Sequence, residues 1–348
     1  MKRKLEYRWM LWCGIWAVVT LLAACDHLAK PSSSGRPYEV LVVVGDSLWQ
    51  RPAGRALFDV LDTDIPGLPQ PERSFRISQT DPQRFNQVLN IFRNIIKVDI
   101  APNQYTQTKM KFTRDVYAQP QVVLTIQSPN EKDFAAFVQK NAQSIIDFLV
   151  KMEMNRQINE LEKKHSEVVL YLADSIFSCQ FWAPVEIKSY KKGKDFFWAS
   201  SNTASGLVNI CMYSYPYEGP ESLTPEALVA ARNRFAARIP GPSDGSYMTT
   251  SDAFAPGYRM FRLEGRLWCE LRGFWDVKGD FMGGPFVSYT TVDTENNRVF
   301  TLDCYVYAPD LNKPRKRNYV RGVEHLLYTV TFPDQRPAKA RDGAADQE

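Results

Sequence analysis

Phe261-Arg262-Leu263-Glu264-Gly265-Arg266-Leu267-Trp268-Cys269-Glu270-Leu271-Arg272 is the stretch that decides the fold class. Phe261, Leu263, Leu267, Cys269 and Leu271 fall on one side of an extended chain. Arg262, Glu264, Arg266, Trp268, Glu270 and Arg272 fall on the other. A period of two with charge on one side is the pattern of an antiparallel strand with a wet face. Similar signals surround it. Residues 286–292 and 299–307 flank Asp293-Thr294-Glu295-Asn296-Asn297 as a hairpin, with Phe300, Leu302, Cys304 and Val306 facing inward. Residues 179–187 and 195–199 flank the turn-like Lys191-Lys192-Gly193-Lys194, and 207–215 reads as a third strand. Thr224-Pro225-Glu226 caps a helix through Ala237, and 319–327 closes as a helix.

The first half reads differently. Residues 38–44 form a β-branched run ending at Gly45-Asp46, the pattern of a buried strand. A helix is expected over 52–61, with strands at 75–77, 94–100 and 121–126. Ser128-Pro129-Asn130-Glu131 fits a capping box with proline at the first helical position. Phe134, Phe137, Val138, Ile145, Leu149 and Met152 then mark one apolar stripe. The helix is expected to run on, exposed, to Lys164. Together these predict an α+β fold: two domains of mainly antiparallel sheet packed with helices, joined by a long helix. The expected divisions are a signal peptide at 1–24, a flexible tether at 25–37 and an N-terminal domain with the long helix at 38–165. A C-terminal domain at 166–332 and a disordered tail at 333–348 complete them.

The chain has 348 residues and a formal charge of +4. Lys2, Arg3, Lys4 and Arg8 against Glu6 account for most of that charge, so the remainder is nearly balanced and no nucleic-acid partner is expected. The only basic cluster, Lys313-Pro314-Arg315-Lys316-Arg317, reads as a solvated loop. These basic residues precede an apolar run, 10–22, that is too short to cross a ~30 Å hydrocarbon core. Leu22-Ala23-Ala24-Cys25 resembles a bacterial lipobox, which implies cleavage before Cys25 and acylation of its thiol. The expected partner is therefore a lipid bilayer reached through Cys25, in the inner or outer membrane facing the periplasm. Cys179, Cys211, Cys269 and Cys304 are far apart and lie in alternating apolar contexts. They read as buried thiols, and without a CxxC pair no zinc or other cofactor is expected.

Several blocks stand in order along the chain: Gly45-Asp46-Ser47-Leu48-Trp49, Arg93-Asn94-Ile95, Ile239-Pro240-Gly241-Pro242, Gly245-Ser246-Tyr247-Met248, Arg272-Gly273-Phe274-Trp275, Asp280-Phe281-Met282-Gly283-Gly284-Pro285-Phe286 and Tyr307-Ala308-Pro309. With these the chain resembles an uncharacterised Bacteroidetes-type lipoprotein family, a domain of unknown function of the DUF4837 kind. That resemblance implies no activity. The second half is also loosely similar to a PsbP-type α/β sandwich.

Candidate chemistry is sparse. Gly45-Asp46-Ser47-Leu48 looks like the first block of GDSL-type esterases, which would make Ser47 a nucleophile. Such a serine needs a base oriented by a third group. At the spacing where those enzymes carry an aspartate, His325 is preceded by Gly322 and His165 by Glu162. His165 reads as solvated and His325 as a partly buried helix residue. Glu264, Glu270 and Asp276 alternate with Arg262, Arg266 and Arg272, which favours cross-strand ion pairs over a glycosidase-like carboxylate pair. Trp268, Phe274, Trp275, Phe281 and Phe286 gather around the glycine-rich 279–284. A surface for an envelope protein or ligand is expected there, anchored by Trp268, Arg272 and Trp275. The leading expectation is a non-catalytic binding or accessory module, with a serine hydrolase or an envelope glycan or lipid binder as alternatives.

Overall fold

The computed structural model describes residues 30–66, 68, 71–201, 207–308 and 316–335. The expected signal peptide, Cys25, residues 313–315 of the basic cluster and the tail beyond Gln335 lie outside them. The first elements are β1 (Glu39–Val43), α1 (Asp46–Gln50), α2 (Pro52–Leu61), β2 (Arg76–Thr80), β3 (Asn94–Ile100), β4 (Lys109–Arg114), β5 (Val122–Ser128), α3 (Glu131–Lys140) and α4 (Ala142–Lys163). Then follow α5 (Glu167–Phe177), β6 (Ile187–Gly193), β7 (Phe196–Ser201), β8 (Leu207–Pro216), α6 (Pro225–Ala236) and β9 (Tyr247–Thr250). The chain closes with β10 (Gly257–Leu263), β11 (Arg266–Lys278), β12 (Gly283–Asp293), β13 (Arg298–Tyr307) and α7 (Lys316–Glu324). The fold is α+β. It divides into two compact units: one takes in the chain to Leu48 and Ser78–Phe134, the other Trp49–Ile77 and Ala135 onward.

The first unit is built on a five-stranded sheet ordered β2-β1-β3-β5-β4. Its central pairs, β1–β3 and β3–β5, are parallel, and β4 joins antiparallel at the edge. All five β1 residues are buried, which is why its apolar run does not alternate. The edge strand β4 was not visible in the sequence. Its Lys-Met-Lys-Phe-Thr-Arg run is almost wholly exposed, so no apolar face marks it. The stretch expected as a free spacer is strapped down from Ser32 to Ser34. Ser32 bridges Gln119 and Ser34 bridges Phe92. The Ser33 N–H donates to the Gln119 carbonyl at 3.2 Å and the Ser34 N–H to that of Ile91 at 2.8 Å. Backbone groups alone make this strap, so a Ser-rich composition gave no sign of it.

The expected single helix from Asn130 is two. The Asn130 side chain, not Ser128, caps α3 by accepting from the Asp133 N–H at 2.8 Å. The chain breaks at Asn141 before α4 starts. The far half of α4 is not simply exposed either. Glu153 and Arg156 form an ion pair at 2.8 Å with side chains 1% and 7% exposed, and Leu161 is buried.

The second unit carries an antiparallel sheet ordered β10-β11-β12-β13-β8-β7-β6, with β9 paired to β11. Both faces are covered. On one, Val169, Leu172 and Phe177 of α5 and Val320 and Val323 of α7 pack against Phe197, Met212, Trp268, Phe300, Leu302 and Cys304. On the other, Leu228, Phe235 and Ala236 of α6 pack against Phe196, Tyr213, Leu271, Trp275 and Phe286. The stretch that set the fold class is therefore a hairpin and not one strand with a wet face. Glu264 and Gly265 both have positive φ, 51° and 80°, as a two-residue turn requires, and Leu263 stands opposite Arg266. Cys179, Cys211, Cys269 and Cys304 are buried. No helix among the described residues is long and apolar enough to cross a membrane.

On the α6 face, Arg232 donates from Nε to Asp303 Oδ1 at 2.9 Å, both side chains being 1% exposed. Arg232 also donates to Thr250 Oγ1 at 3.0 Å and lies 3.7 Å from the Phe286 ring centroid. Burial pushes the Asp303 carboxyl up while Arg232 pulls it down. Replacing Asp303 with alanine leaves the guanidinium buried without its counter-charge. A loss of about 3–5 kcal/mol is expected. Arg232→Met with Asp303→Leu should recover most of it, and urea unfolding of the three variants measures both effects.

Candidate functional site

The β10–β11 register places Arg259 directly across from Glu270, and the β11–β12 register places Tyr289 on Glu270's other side. All three lie on the face covered by α5 and α7, the face that also holds Trp268. Arg259 grips Glu270 with two parallel bonds, Nε to Oε1 at 2.9 Å and Nη2 to Oε2 at 2.8 Å. Two residues along, Arg272 approaches Glu270 at 3.6 Å and donates from Nη1 to Glu324 Oε1 at 2.6 Å. Glu324 lies on α7, where Arg321, one turn earlier, donates to its Oε2 at 2.9 Å. The result is an unbroken row of alternating charge: Arg259, Glu270, Arg272, Glu324, Arg321. It begins and ends on arginine.

Side-chain exposure is 64% at Arg259, 8% at Glu270, 15% at Arg272, 7% at Glu324 and 12% at Arg321. The row forms the floor of a groove with two lobes of about 480 and 490 Å³ that meet over it. One wall is α4, which contributes Ile146, Val150, Met154 and Ile158 among Asp147, Lys151 and Asn155. Such volumes suit a small ligand or a few residues of a peptide.

Neighbouring charges outweigh burial at Glu324 and Arg272. Burial alone would raise the Glu324 carboxyl, but Arg321 and Arg272 bring it below its ordinary value. Burial opposes the charge on Arg272, yet Glu324 and Glu270 raise it above the ordinary arginine value. Burial, then Glu324 and Glu270, push the Tyr289 hydroxyl well up. Arg321 Nε is buried without a hydrogen-bond partner.

Residues 170–329 match the model of a domain of unknown function, DUF4837. The second half of the chain is a DUF4837-like domain. Residues 33–162 match a second domain of unknown function, DUF8532. No curated protein matches the chain. All five charged residues of the groove floor belong to the DUF4837-like domain, whereas the α4 wall lies in the preceding matched segment.

The residues singled out from sequence are not one surface. Trp268 and Trp275 are each 2% exposed, in the cores on opposite faces of the sheet, because seven positions along a strand change side. Trp275 Nε1 donates to the Val306 carbonyl at 3.1 Å. A Cβ on Gly284 would sit 2.2 Å from that same oxygen, so close backbone approach explains this glycine of the DUF4837-like domain. Of the three expected anchors only Arg272 lines the groove. Arg259, Arg321 and Glu324 join it from positions that no sequence pattern marks as a site. The sequence signal was the arginine-rich β10–β11 stretch, without anything to name its partners on α7.

Other expected constellations are dispersed. Ser47 is exposed on α1, and the neighbouring Asp46 is held by Arg84 at 2.7 and 2.6 Å. The described residues of its unit contain no histidine to serve as a base. His165, expected in solvent, is 16% exposed, donates from Nδ1 to the Leu161 carbonyl at 2.8 Å and stacks on Trp182. Glu264 is in the hairpin turn, Asp276 is exposed and Glu270 is bound to Arg259. These carboxylates do not form the pair a glycosidase needs.

His325, beside Glu324, is 4% exposed. Burial lowers its imidazole to about 4, against weaker pulls from the Arg321 carbonyl and Glu324. Its folded value lies below its unfolded value of 6.5, so the unfolded chain binds the extra proton between those limits. Stability should fall by about 2–3 kcal/mol as pH drops from 6.5 towards 4. Glu324 adds its own loss only further down, as pH falls below its ordinary range. Urea midpoints at pH 7 and 4.5 test this, and His325→Phe should flatten the change.

Proposed function

We propose that the chain is a non-catalytic binding module of the cell envelope, anchored through a lipid on Cys25, with the groove as its ligand site. The observation that carries the reading is the row of five alternating charges that starts and ends on arginine beneath an open cleft. A hydrolytic acid–base pair needs a carboxyl kept neutral near working pH beside one that is ionised. Glu324 is driven the other way, and both floor glutamates, Glu270 and Glu324, are held by arginine on two sides. Such a floor orients a ligand and exchanges no protons with it. The apolar residues of α4 give the ligand's uncharged part somewhere to lie. The periplasm-facing address comes from the lipobox-like Leu22-Ala23-Ala24-Cys25, which also supplies the bilayer as a partner.

The test is photocrosslinking in the native envelope. Benzoylphenylalanine replaces Met154 or Tyr328 in the groove, or Tyr190 on the far β6 edge. Groove positions should give a discrete adduct, whether peptide, lipid or glycan, that Tyr190 does not give and Arg272→Ala removes. Identical patterns at all three positions would sink the reading.

A further inference from the structure

We propose that the strap on the first unit decides which end of that unit meets the bilayer: the end to which Pro31–Ser34 is zipped lies against the lipid headgroups, and the opposite end is held away from them. This rests on the reading of Cys25 as the lipid-bearing residue and is independent of what the groove binds. The strap is more than its two bridges. The Pro31 carbonyl accepts from the Gln119 N–H at 2.9 Å, and the Ser34 carbonyl accepts from the Arg93 N–H at 2.9 Å. Lys30 Nζ donates to the Asp115 carbonyl. Further on, Glu39 Oε2 accepts from the Arg36 N–H at 2.9 Å, and Tyr38 is 1% exposed. Chain expected to serve as spacer as far as Pro37 is therefore part of the folded unit from Pro31 onward.

Reach then restricts orientation. Only residues 26–30 separate Cys25 from Pro31. At full stretch they span about 22 Å, against about 43 Å for a spacer running to Pro37. The headgroup layer occupies about 5–8 Å of that span, which leaves about 14–17 Å. β1, β3 and β5 are parallel, so Glu39, Asn94 and Val122 share one end of the sheet. The strap's partners, Ile91, Arg93 and Gln119, come just before β3 and β5, so the strap lies at that end. β3 has 7 residues and is about 20 Å from end to end. Turning the unit over would lift Pro31 at least that far above the headgroups, which the linker cannot span. A spacer free as far as Pro37 would allow the turn.

The strapped end suits a bilayer surface. Val116, beside the Asp115 that receives Lys30, is 39% exposed, and Lys30, Arg36 and Arg114 are exposed at the same end. The segments that make this end, 30–39, 90–94 and 114–121, hold Lys30, Arg36, Arg93 and Arg114 against Glu39 and Asp115, and the linker adds Asp26. Glu39 is buried, and Asp115 Oδ1 accepts from the Gln121 N–H at 2.7 Å. The balance is slightly positive, so anionic headgroups do not repel this end. Reach, and not charge, sets the orientation.

The experiment uses the full acylated chain in vesicles of phosphatidylethanolamine and phosphatidylglycerol. Benzoylphenylalanine replaces Val116 at the strapped end, or Asn103, which is exposed just beyond the far end of β3. Illumination should give lipid adducts at Val116 and almost none at Asn103. A Gly-Ser insert of about ten residues between Ala29 and Lys30 lengthens the linker by up to about 36 Å and should abolish that preference. Ser33→Pro with Ser34→Pro deletes two donors of the strap and should abolish it as well, with urea midpoints as the check on folding. The insert leaves the folded unit untouched, so it decides the matter even where the proline pair does not fold. Equal labelling at the two positions in the unmodified chain, or a preference that survives the insert, overturns the proposal while the anchor stands. Mass spectrometry of the N-terminal peptide separates the other failure: a Cys25 without a diacylglyceryl group removes the anchor itself, and the proposal with it.

Discussion

The sheet of the second unit is covered on both faces, and that constraint governs everything placed on it. A polar side chain buried in the middle of β11, β12 or β13 has no water to turn to, so it must find a partner inside the protein. Asp303 is the severest case. Buried carboxylates are costly enough that they persist only when paired, and Arg232 reaches down from α6 to meet it. The same demand is met more cheaply elsewhere. Thr290 and Thr301 share a hydrogen bond at 2.9 Å across neighbouring strands. Arg298 links Asp293 at 2.9 Å to the Phe177 carbonyl at the end of α5. Each such pair joins an element to the sheet, so satisfying the polar groups also fixes where the helices sit.

That constraint explains what the sequence disclosed. Strands were visible as β-branched or alternating runs, and α2 and β3 could be bounded to the residue because Pro52 starts one and Asn94-Ile95-Ile96 opens the other. The hairpin between β10 and β11 was missed for a definite reason. Odd-numbered apolar residues run in step from Phe261 to Leu271, straight through Glu264-Gly265. After a two-residue turn the odd positions face the other way, so the same stripe feeds one core before the turn and the other core after it. Where only one face is buried such a switch would break the pattern. Here both are buried, and the pattern survives it. The helix break at Asn141 was hidden similarly, since the apolar stripe of α3 continues in phase into α4.

The site was legible in its residue types and not in its pairings. Arginine alternating with glutamate along 259–272 was plain, and Arg272 was picked out. Its main partner is Glu324, more than fifty positions on, in a segment that reads as the polar side of a closing helix. Only the fold brings α7 over β11. The tryptophans misled because a large aromatic residue beside glycines resembles an exposed anchor as much as a buried one. Gly284 separates the two cases: it is small so that the Trp275 indole and the Val306 carbonyl can meet beneath it.

The two ionic devices on this sheet show why one is read as structural and the other as a site. Arg232 and Asp303 close on each other at 1% exposure, and the rest of the guanidinium is taken up by Thr250 and the Phe286 ring. Nothing in that pair faces a cleft. The row on the opposite face is graded instead, from a largely exposed Arg259 through three well-buried charges to an Arg321 whose Nε is left over. The outermost charge, Arg259, stays largely in water and so costs little desolvation, while the inner charges are paired with one another. That graded exposure leaves the row open to a cleft, whereas the closed pair on the other face is sealed from solvent.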